Sequence, residues 1–472
     1  MKLYENSPRS IRQLERNRRA LAARLGRQEA PYDPACGSGF YDSLYLWDGT
    51  FAAWIEESEG YHLTAAKQLF SLTNHQRSDG LIPNMLFPPQ KFTLNPERLM
   101  FTQPFATSDY SQPNEMAFVA RQLYEHSRDL PPIHPDERLD SDIFLETIYP
   151  RLWRSYAYFI DHRQNSADDP LVYIIDPHET GRDSDSTYSS LKPFNHLKPP
   201  RSGELSPWHV NHRRRIIDYA GALALNFKAS RRKWRPEAIR EYFAPNDVMF
   251  NCQLARNYRE MATIAGYLGH DGDVERFTCE AAALETAILG RMWFSEALDG
   301  RGAFYALHRC RPIKQVSISN LAPVMLENIR PEQLESILNL MDESFDVPFP
   351  LPSIPKDDAA NYDPHYQEKD RHWQGPTWIV ANRLVMVGLE IQVERTDLTP
   401  ELRARCMEWL VRLDDTNHKL VEKGYFEHSN PINGNGQRRH KTLGHVFAIM
   451  ADIRSRNKIS DKSILREPKE QA

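Results

Sequence analysis

Four carboxylates crowd the stretch DPHETGRDSDSTY: Asp176, Glu179, Asp183 and Asp185 fall within ten residues around Gly181, with Arg182 as the nearby cation. Carboxylates this close repel one another and bind protons more tightly unless a metal, a cation or a substrate uses them. A calcium loop begun at Asp176 puts Gly181 at the required sixth position. It then finds Thr187 where a bidentate Glu must close the site, and His178 and Thr180 in place of acidic ligands, so the metal reading fails. A solvated turn fits the Asp, Ser, Gly and Thr content. Against it, the apolar run LVYII, Leu171 to Ile175, leads straight into the stretch and anchors it on a core. A carboxyl on a rigid loop beside other acids keeps its proton to higher pH, which is what a general acid requires.

Acid catalysis on a glycosidic bond needs a second carboxyl facing the first. GYFEHSNPINGNG, Gly424 to Gly436, offers Glu427 between aromatics and a Gly/Asn-rich loop; by base rate alone it reads as an ordinary exposed Glu. Three further stretches shift that balance: YLWDGTFAAW (Tyr45 to Trp54), YSQPNEMAF (Tyr110 to Phe118) and RHWQGPTWIVAN (Arg371 to Asn382). Each sets a Trp or Tyr beside an amide or carboxylate at the start of a helical pattern. That pairing suits a sugar, whose apolar face stacks on a ring while Asp or Gln takes its hydroxyls. Taken singly, Trp47, Phe51 and Trp54 read better as a core stripe.

The elements that must position these residues read as helices. Met116, Val119, Ala120 and Leu123 follow the i, i+3, i+4, i+7 rule after Pro113, which suits a first helical turn. Val274, Phe277, Ala281, Leu284, Ile288 and Met292 step by three and four, and so do Leu402, Cys406, Leu410 and Leu413, and Leu443, Val446, Phe447, Met450 and Ile453. Similar stripes run near 61–76, 143–160, 248–268, 331–341 and 376–391, with no long alternating strand segment beside them. Ten to twelve helices joined by very unequal loops predict paired helices rather than a compact bundle. Two segments break the rhythm: 189–246, Pro-rich and basic, and 342–372; long loops of this kind serve as lids or as solvated insertions. Residues 1–30, Arg-rich yet carrying Glu5, Glu15 and Glu29, predict a surface helical extension from about Ser10 to Leu25 rather than a transit peptide, and 457–472 a polar tail.

At 472 residues the chain is long enough for a large core, and 11% aromatic content suits aromatic-lined cavities. A formal charge of -5 gives no reason to expect nucleic acid or an anionic membrane as partner. No apolar run approaches a membrane span and no signal-peptide core is seen, so a cytoplasmic protein is expected. Five scattered cysteines without a CxxC pair predict reduced packing residues, neither disulfides nor a zinc site. No cofactor is called for; the expected partner is a small carbohydrate, and a homo-oligomer is left open.

Read in order from about Leu44 to Asp452, these stretches resemble glycoside hydrolase family 63, within it the small enzymes that hydrolyse mannosylglycerate and glucosylglycerate, and more distantly family 37 trehalases. Trp47-Asp48 resembles the first sugar-binding turn and GLIPNM (Gly80 to Met85) the following segment. Gln112-Pro113 is similar to the family's QPP, and Gly375-Pro376 with Trp373 and Trp378 to its YWRGPxW. ETGRD, Glu179 to Asp183, is similar to the ESGxD whose Asp is the general acid, and YFEHSNP to the motif that carries the general base, which falls on Glu427. His178, Gln374 and Asn114 depart from the family, which has Trp, Arg and Pro there.

The resemblance implies an all-α (α/α)6 toroid over 31–456, with insertions near 189–246 and 342–372, and an inverting α-glycosidase. Asp183 is the expected acid and Glu427 the expected base. Tyr45, Trp47, Asp48, Gln112, His178, Glu179, Gly181, Arg182, Trp373, Gln374, Gly375 and Trp378 are expected around the sugar, the 342–372 segment closes over the leaving group, and Asp185 stands outside the chemistry. A lyase or epimerase, or a binding protein without catalysis, are the rival readings of such a toroid.

Overall fold

The structure, a computed structural model, describes residues 43–58, 60–87, 98–104, 106–129, 132, 135–198, 207–364, 373–423 and 426–437. The expected helices at Ser10 to Leu25 and Leu443 to Ile453, the polar tail, Cys36 and Arg371 lie outside these residues.

The helices alternate between two burial patterns. In α1 (Leu46–Ser58) nearly every side chain is buried, whereas α2 (His62–Thr73) keeps exposed positions such as Lys67. The same alternation separates α3 (Met116–Asp129) from α4 (Ser141–Arg163), and, past α5 (Pro207–Arg231), α6 (Val248–Tyr267) from α7 (Asp271–Arg291). A buried 3-10 stretch, Ile318–Met325, precedes α8 (Pro331–Leu340), and buried α9 (Ile379–Glu394) precedes α10 (Pro400–Lys423). A helix apolar all round must sit inside, and one with an apolar stripe must cover it. Accordingly α1, α3, α6, the 3-10 stretch and α9 contact one another in that order, and each is backed by the helix that follows it in this alternation. These are the hairpins of an (α/α)6 toroid.

Chain chemistry sets the ends. Asp140 caps α4 by accepting the Ile143 N–H at 3.1 Å, and Asp247 caps α6 through the Phe250 N–H at 2.7 Å. α8 opens on Pro331, at a position whose N–H has no helical partner anyway. Short antiparallel strand pairs tie the loops at one end of the ring: Leu44–Tyr45 with Met85–Leu86, and His428–Ser429 with Gly436–Gln437.

Several expectations need correction. Residues 189–246 contain α5, a 25-residue helix that buries Ala222, Leu225 and Ala229 at i, i+3 and i+7, so this is not an irregular lid. Of the 342–372 segment expected to close over the leaving group, residues 346–355 pack inward instead, with Leu351 and Ile354 fully buried and the Ser353 N–H bonding the Pro376 carbonyl at 2.9 Å, while 365–372 lie outside the described residues. Pro113 lies before the helix rather than in its first turn, since α3 starts at Met116. Of the described cysteines, Cys252 and Cys406 pack inside but Cys279 and Cys310 are exposed.

Candidate active site

Each loop that leads into an inner helix brings part of the site. Pro177–Thr180 form one 3-10 turn, with Asp176 accepting the His178 N–H at 2.8 Å and Gly181 ending the turn at φ +69°. A Cβ at Gly181 would lie 1.8 Å from the Trp47 ring, so only glycine allows this approach. A second short helix, Ser186–Leu191, is capped by Asp185, which accepts the Thr187 N–H at 2.8 Å. Asp183 is exposed between two capped turns, and Ser184 beside it has φ +66°. Two fixed ends and a left-handed residue hold that carboxyl out of the wall.

Its acidic neighbours are otherwise engaged. Glu179 is fully buried: it pairs with Arg163 and accepts the Ser111 N–H at 3.0 Å and the Ile175 N–H at 2.6 Å. Arg182, also buried, donates to Asp185 at 2.9 Å and to Asp247 at 2.6 Å, and Tyr188 donates to the same Asp247. Both Glu179 and Arg182, expected around the sugar and there to tune or orient the acid, anchor its loop from below. Asp185, expected to be idle, is a cap and an ion-pair partner. His178 bonds Asp176 through Nδ1 at 2.7 Å and stacks on Tyr110, the ring centroids 6.3 Å apart.

On the other side, Glu427 is buried next to the His428–Ser429 strand. Trp373 and Trp378 stack in parallel at 4.3 Å, and the His428 ring lies 4.8 Å from Trp378. Gly375, at φ +134°, has no room for a side chain: a Cβ there would meet the Asp363 backbone at 2.6 Å. The loop between the tryptophans joins both carboxyl loops. Gln374 donates from Nε2 to the Ser184 carbonyl at 2.7 Å, and Thr377 and Ser429 exchange backbone hydrogen bonds at 2.9 Å.

Tyr45, half-buried on the first strand, leads into α1, whose first turn carries Trp47 and Asp48. Gln112 braces that turn, its Oε1 accepting the Trp47 N–H at 3.0 Å. Burial, and then the charge of Asp183, raise the Asp48 carboxyl to about 7. The Asp183 charge therefore reaches Asp48. Sequence reasoning missed Asp247 and Arg163, which fix the acid loop from distant positions, and the tie from Tyr188 at the loop's end to Asp247. Only Asp247 left a signal, as an Asp preceding an apolar helical run.

A helical toroid whose inner-helix loops gather an exposed Asp, a buried Glu and stacked tryptophans defines a carbohydrate-active enzyme of the glycosidase type. The family-wide sequence description "Mannosylglycerate hydrolase MGH1-like glycoside hydrolase domain" matches residues 41–447, and the chain belongs to that family. It is a glycoside hydrolase. The mannosylglycerate hydrolase of one Thermus thermophilus strain is 25% identical over 419 residues, which cover 84% of this chain and 91% of that protein. Among solved structures, the family 63 mannosylglycerate hydrolase of another Thermus thermophilus strain, in complex with Tris and D-glycerate, superposes with a TM-score of 0.70 at 22% identity, covering 94% of this chain and 98% of that one. Neutral trehalase Nth1 from Saccharomyces cerevisiae shares the fold with a TM-score of 0.51 at 12% identity, over 90% of this chain and 74% of its own. No helix among the described residues is long and apolar enough to cross a membrane.

Proposed function

We propose that the protein is an inverting hydrolase of a small α-mannoside or α-glucoside, of the mannosylglycerate and glucosylglycerate type. Asp183 protonates the glycosidic oxygen, while Glu427 takes a proton from the water that attacks the opposite face of the anomeric carbon. A pair of this kind stands roughly 6.5–9.5 Å apart, leaving room for the water. Trp47, Asp48, Trp373 and Trp378 hold the sugar ring through stacking and hydroxyl contacts. Residues 31–456 act as one catalytic domain in this reading.

The observation that carries the proposal is the cross-link between the two carboxyl loops. Gln374 holds the backbone beside Asp183, and Thr377 in the same loop pairs with Ser429, two residues from Glu427. A single strap of backbone and amide bonds supports a fixed separation between acid and base, which inversion requires and a single isolated carboxyl does not. The named activity of the Thermus thermophilus relatives supports the substrate class.

General acid or base catalysis is typically worth about 10²–10⁴ in rate. Asp183→Asn and Glu427→Gln are expected to lose hydrolysis to that extent while keeping the wild-type circular dichroism. Near wild-type turnover in either variant removes that residue from its role. Proton NMR of the first-formed anomer checks the stereochemistry: an α-glycoside must release β-sugar, and release of α-sugar rules out Glu427 as base to water. A panel of mannosylglycerate, glucosylglycerate, trehalose, kojibiose and nigerose, read by free hexose, fixes the leaving group.

A further inference from the structure

Two Asn-Gly pairs follow one another in the loop that returns from the Glu427 strand: Asn433-Gly434 and Asn435-Gly436. An Asn before Gly is open to reaction with its own backbone, because glycine has no side chain to keep its nitrogen away from the Asn amide carbon. Asn433 and Asn435 are both exposed, so exposure does not tell them apart. Their hydrogen bonds do.

Asn433 is held on every side. Its N–H donates to Asn430 Oδ1 at 3.3 Å, its own Oδ1 accepts the Asn435 N–H at 2.9 Å, and its carbonyl accepts Lys423 Nζ at 2.8 Å. The nitrogen that would attack it, Gly434 N, donates to the Asn430 carbonyl at 2.8 Å. No hydrogen bond holds the Asn435 side-chain amide among the described residues. Gly436 N is turned outward as well. Ser429, opposite Gly436 in the ladder, uses both its N–H and its carbonyl on Thr377 at 2.9 Å, while the Asn430 N–H bonds the Asn435 carbonyl at 2.9 Å. Opposed residues in an antiparallel pair alternate between bonded and non-bonded, so Ser429 and Gly436 are a non-bonded pair and the Gly436 N–H points away from its partner strand. Glycine is required there all the same: a Cβ at Gly436 would lie 1.8 Å from the ring of Phe426, the neighbour of Glu427.

We propose that Asn435 is a site of spontaneous deamidation, and that the isoaspartate it yields disables the strand that carries the base. Gly436 N attacks Asn435 Cγ; the N–Cγ bond forms, the Cγ–Nδ2 bond breaks, the Gly436 amide proton leaves with Nδ2 as ammonia, and a succinimide ring remains. Water then opens the ring. Addition at Cγ leaves aspartate; addition at the main-chain carbonyl leaves isoaspartate, in which the chain runs through Cγ and gains a methylene. No atom is oxidised or reduced. The extra backbone atom displaces the carbonyl that receives the Asn430 N–H and the pairing of Ser429 with Gly436, two residues from Glu427. Aspartate alters only an exposed side chain. The effect on hydrolysis rests on Glu427 as base; the deamidation does not.

The intact protein is aged at mildly alkaline pH, digested with trypsin, and the peptide Gly424 to Arg438 is read by fragmentation mass spectrometry. The same peptide made by synthesis is the unfolded reference. In the protein Asn435 is expected to convert at least about tenfold faster than Asn433, the worth of the hydrogen bond that holds Gly434 N; in the peptide the two convert alike. Equal rates in the protein, a faster Asn433, or an unchanged Asn435 once the peptide has converted overturns the proposal. Turnover of the aged protein is expected to fall in proportion to its isoaspartate, while freshly prepared Asn435→Asp keeps wild-type turnover. Full turnover at complete isoaspartate conversion, or a loss in Asn435→Asp equal to that of the aged protein, overturns the link to the base strand. The mass readout needs no substrate, so its failure is distinguishable from failure of the hydrolysis assigned above.

Discussion

At the scale of single residues, the pairing of Asp48 with Asp183 decides when the acid is armed. Burial first, then the Asp183 charge, lift the Asp48 carboxyl to about 7, so Asp48 keeps its proton up to neutral pH and its ionisation then adds a second charge beside Asp183. Because that carboxyl is raised above its unfolded value of about 3.9, its contribution to folding is present at low pH and is lost as pH rises towards about 7. The activity follows the same proton. The alkaline limb of kcat/KM is expected near pH 7, and in Asp48→Asn, where nothing repels the second charge, the limb must move to lower pH. A limb that stays in place or moves up contradicts the pairing. Gln374 acts through the backbone instead: its bond to the Ser184 carbonyl at 2.7 Å orients the acid without touching it. Gln374→Ala is expected to lower kcat by about tenfold, the worth of one buried hydrogen bond of about 1.4 kcal/mol, with KM little changed. A rise in KM at constant kcat would make Gln374 a substrate contact.

At the scale of elements, the site depends on how helix ends meet the acid loop. Asp247 caps α6 and holds buried Arg182 at 2.6 Å. Removing it leaves a guanidinium inside the protein with only Asp185 as partner. Asp247→Ala is expected to cost about 3–5 kcal/mol, read as a lower denaturant midpoint at unchanged slope; a loss under about 1 kcal/mol would mean Arg182 finds water. This part of the site was illegible in the sequence. Asp183 and Glu427 stand out because they sit in short local patterns of acids, glycines and aromatics. The decisive partners, Asp247 for Arg182 and Arg163 for Glu179, stand at the ends of other helices and follow only from the tertiary fold. The helices themselves were legible wherever apolar steps of three and four ran unbroken. Helix α5 escaped because its start, PWHVNHRRR, reads as basic and Pro-led, and its buried face is mostly small: Ala222, Leu225 and Ala229. The segment 346–355 escaped because its prolines suggest an open loop, whereas its buried Leu351 and Ile354 pin it under the site.

At the scale of the whole molecule, a chain of 472 residues is of the size that ordinarily unfolds through intermediates, since two-state behaviour is usual only below about 150 residues. The ring argues otherwise. One contiguous core runs from Leu46 to Val421, and among the described residues α1, α3, α6, the 3-10 stretch and α9 each pack on a neighbouring inner element as well as on their own outer helix. An open solenoid loses its end repeats one at a time, but a hairpin lost from a ring bares apolar faces on two others, about 25 cal/mol for each Å² exposed. Trp47, Trp54, Trp234, Trp373, Trp378 and Trp409 all belong to that core, so tryptophan fluorescence samples it widely. In urea, helicity by circular dichroism, tryptophan fluorescence and hydrolysis are expected to disappear in one coincident transition. If activity is lost at clearly lower urea than helicity, the loops that carry Asp183 and Glu427 open on their own, and the strap through Gln374 and Thr377 is weaker than the ring beneath it. Coincidence instead means that the separation of acid and base is fixed by the same packing that closes the toroid.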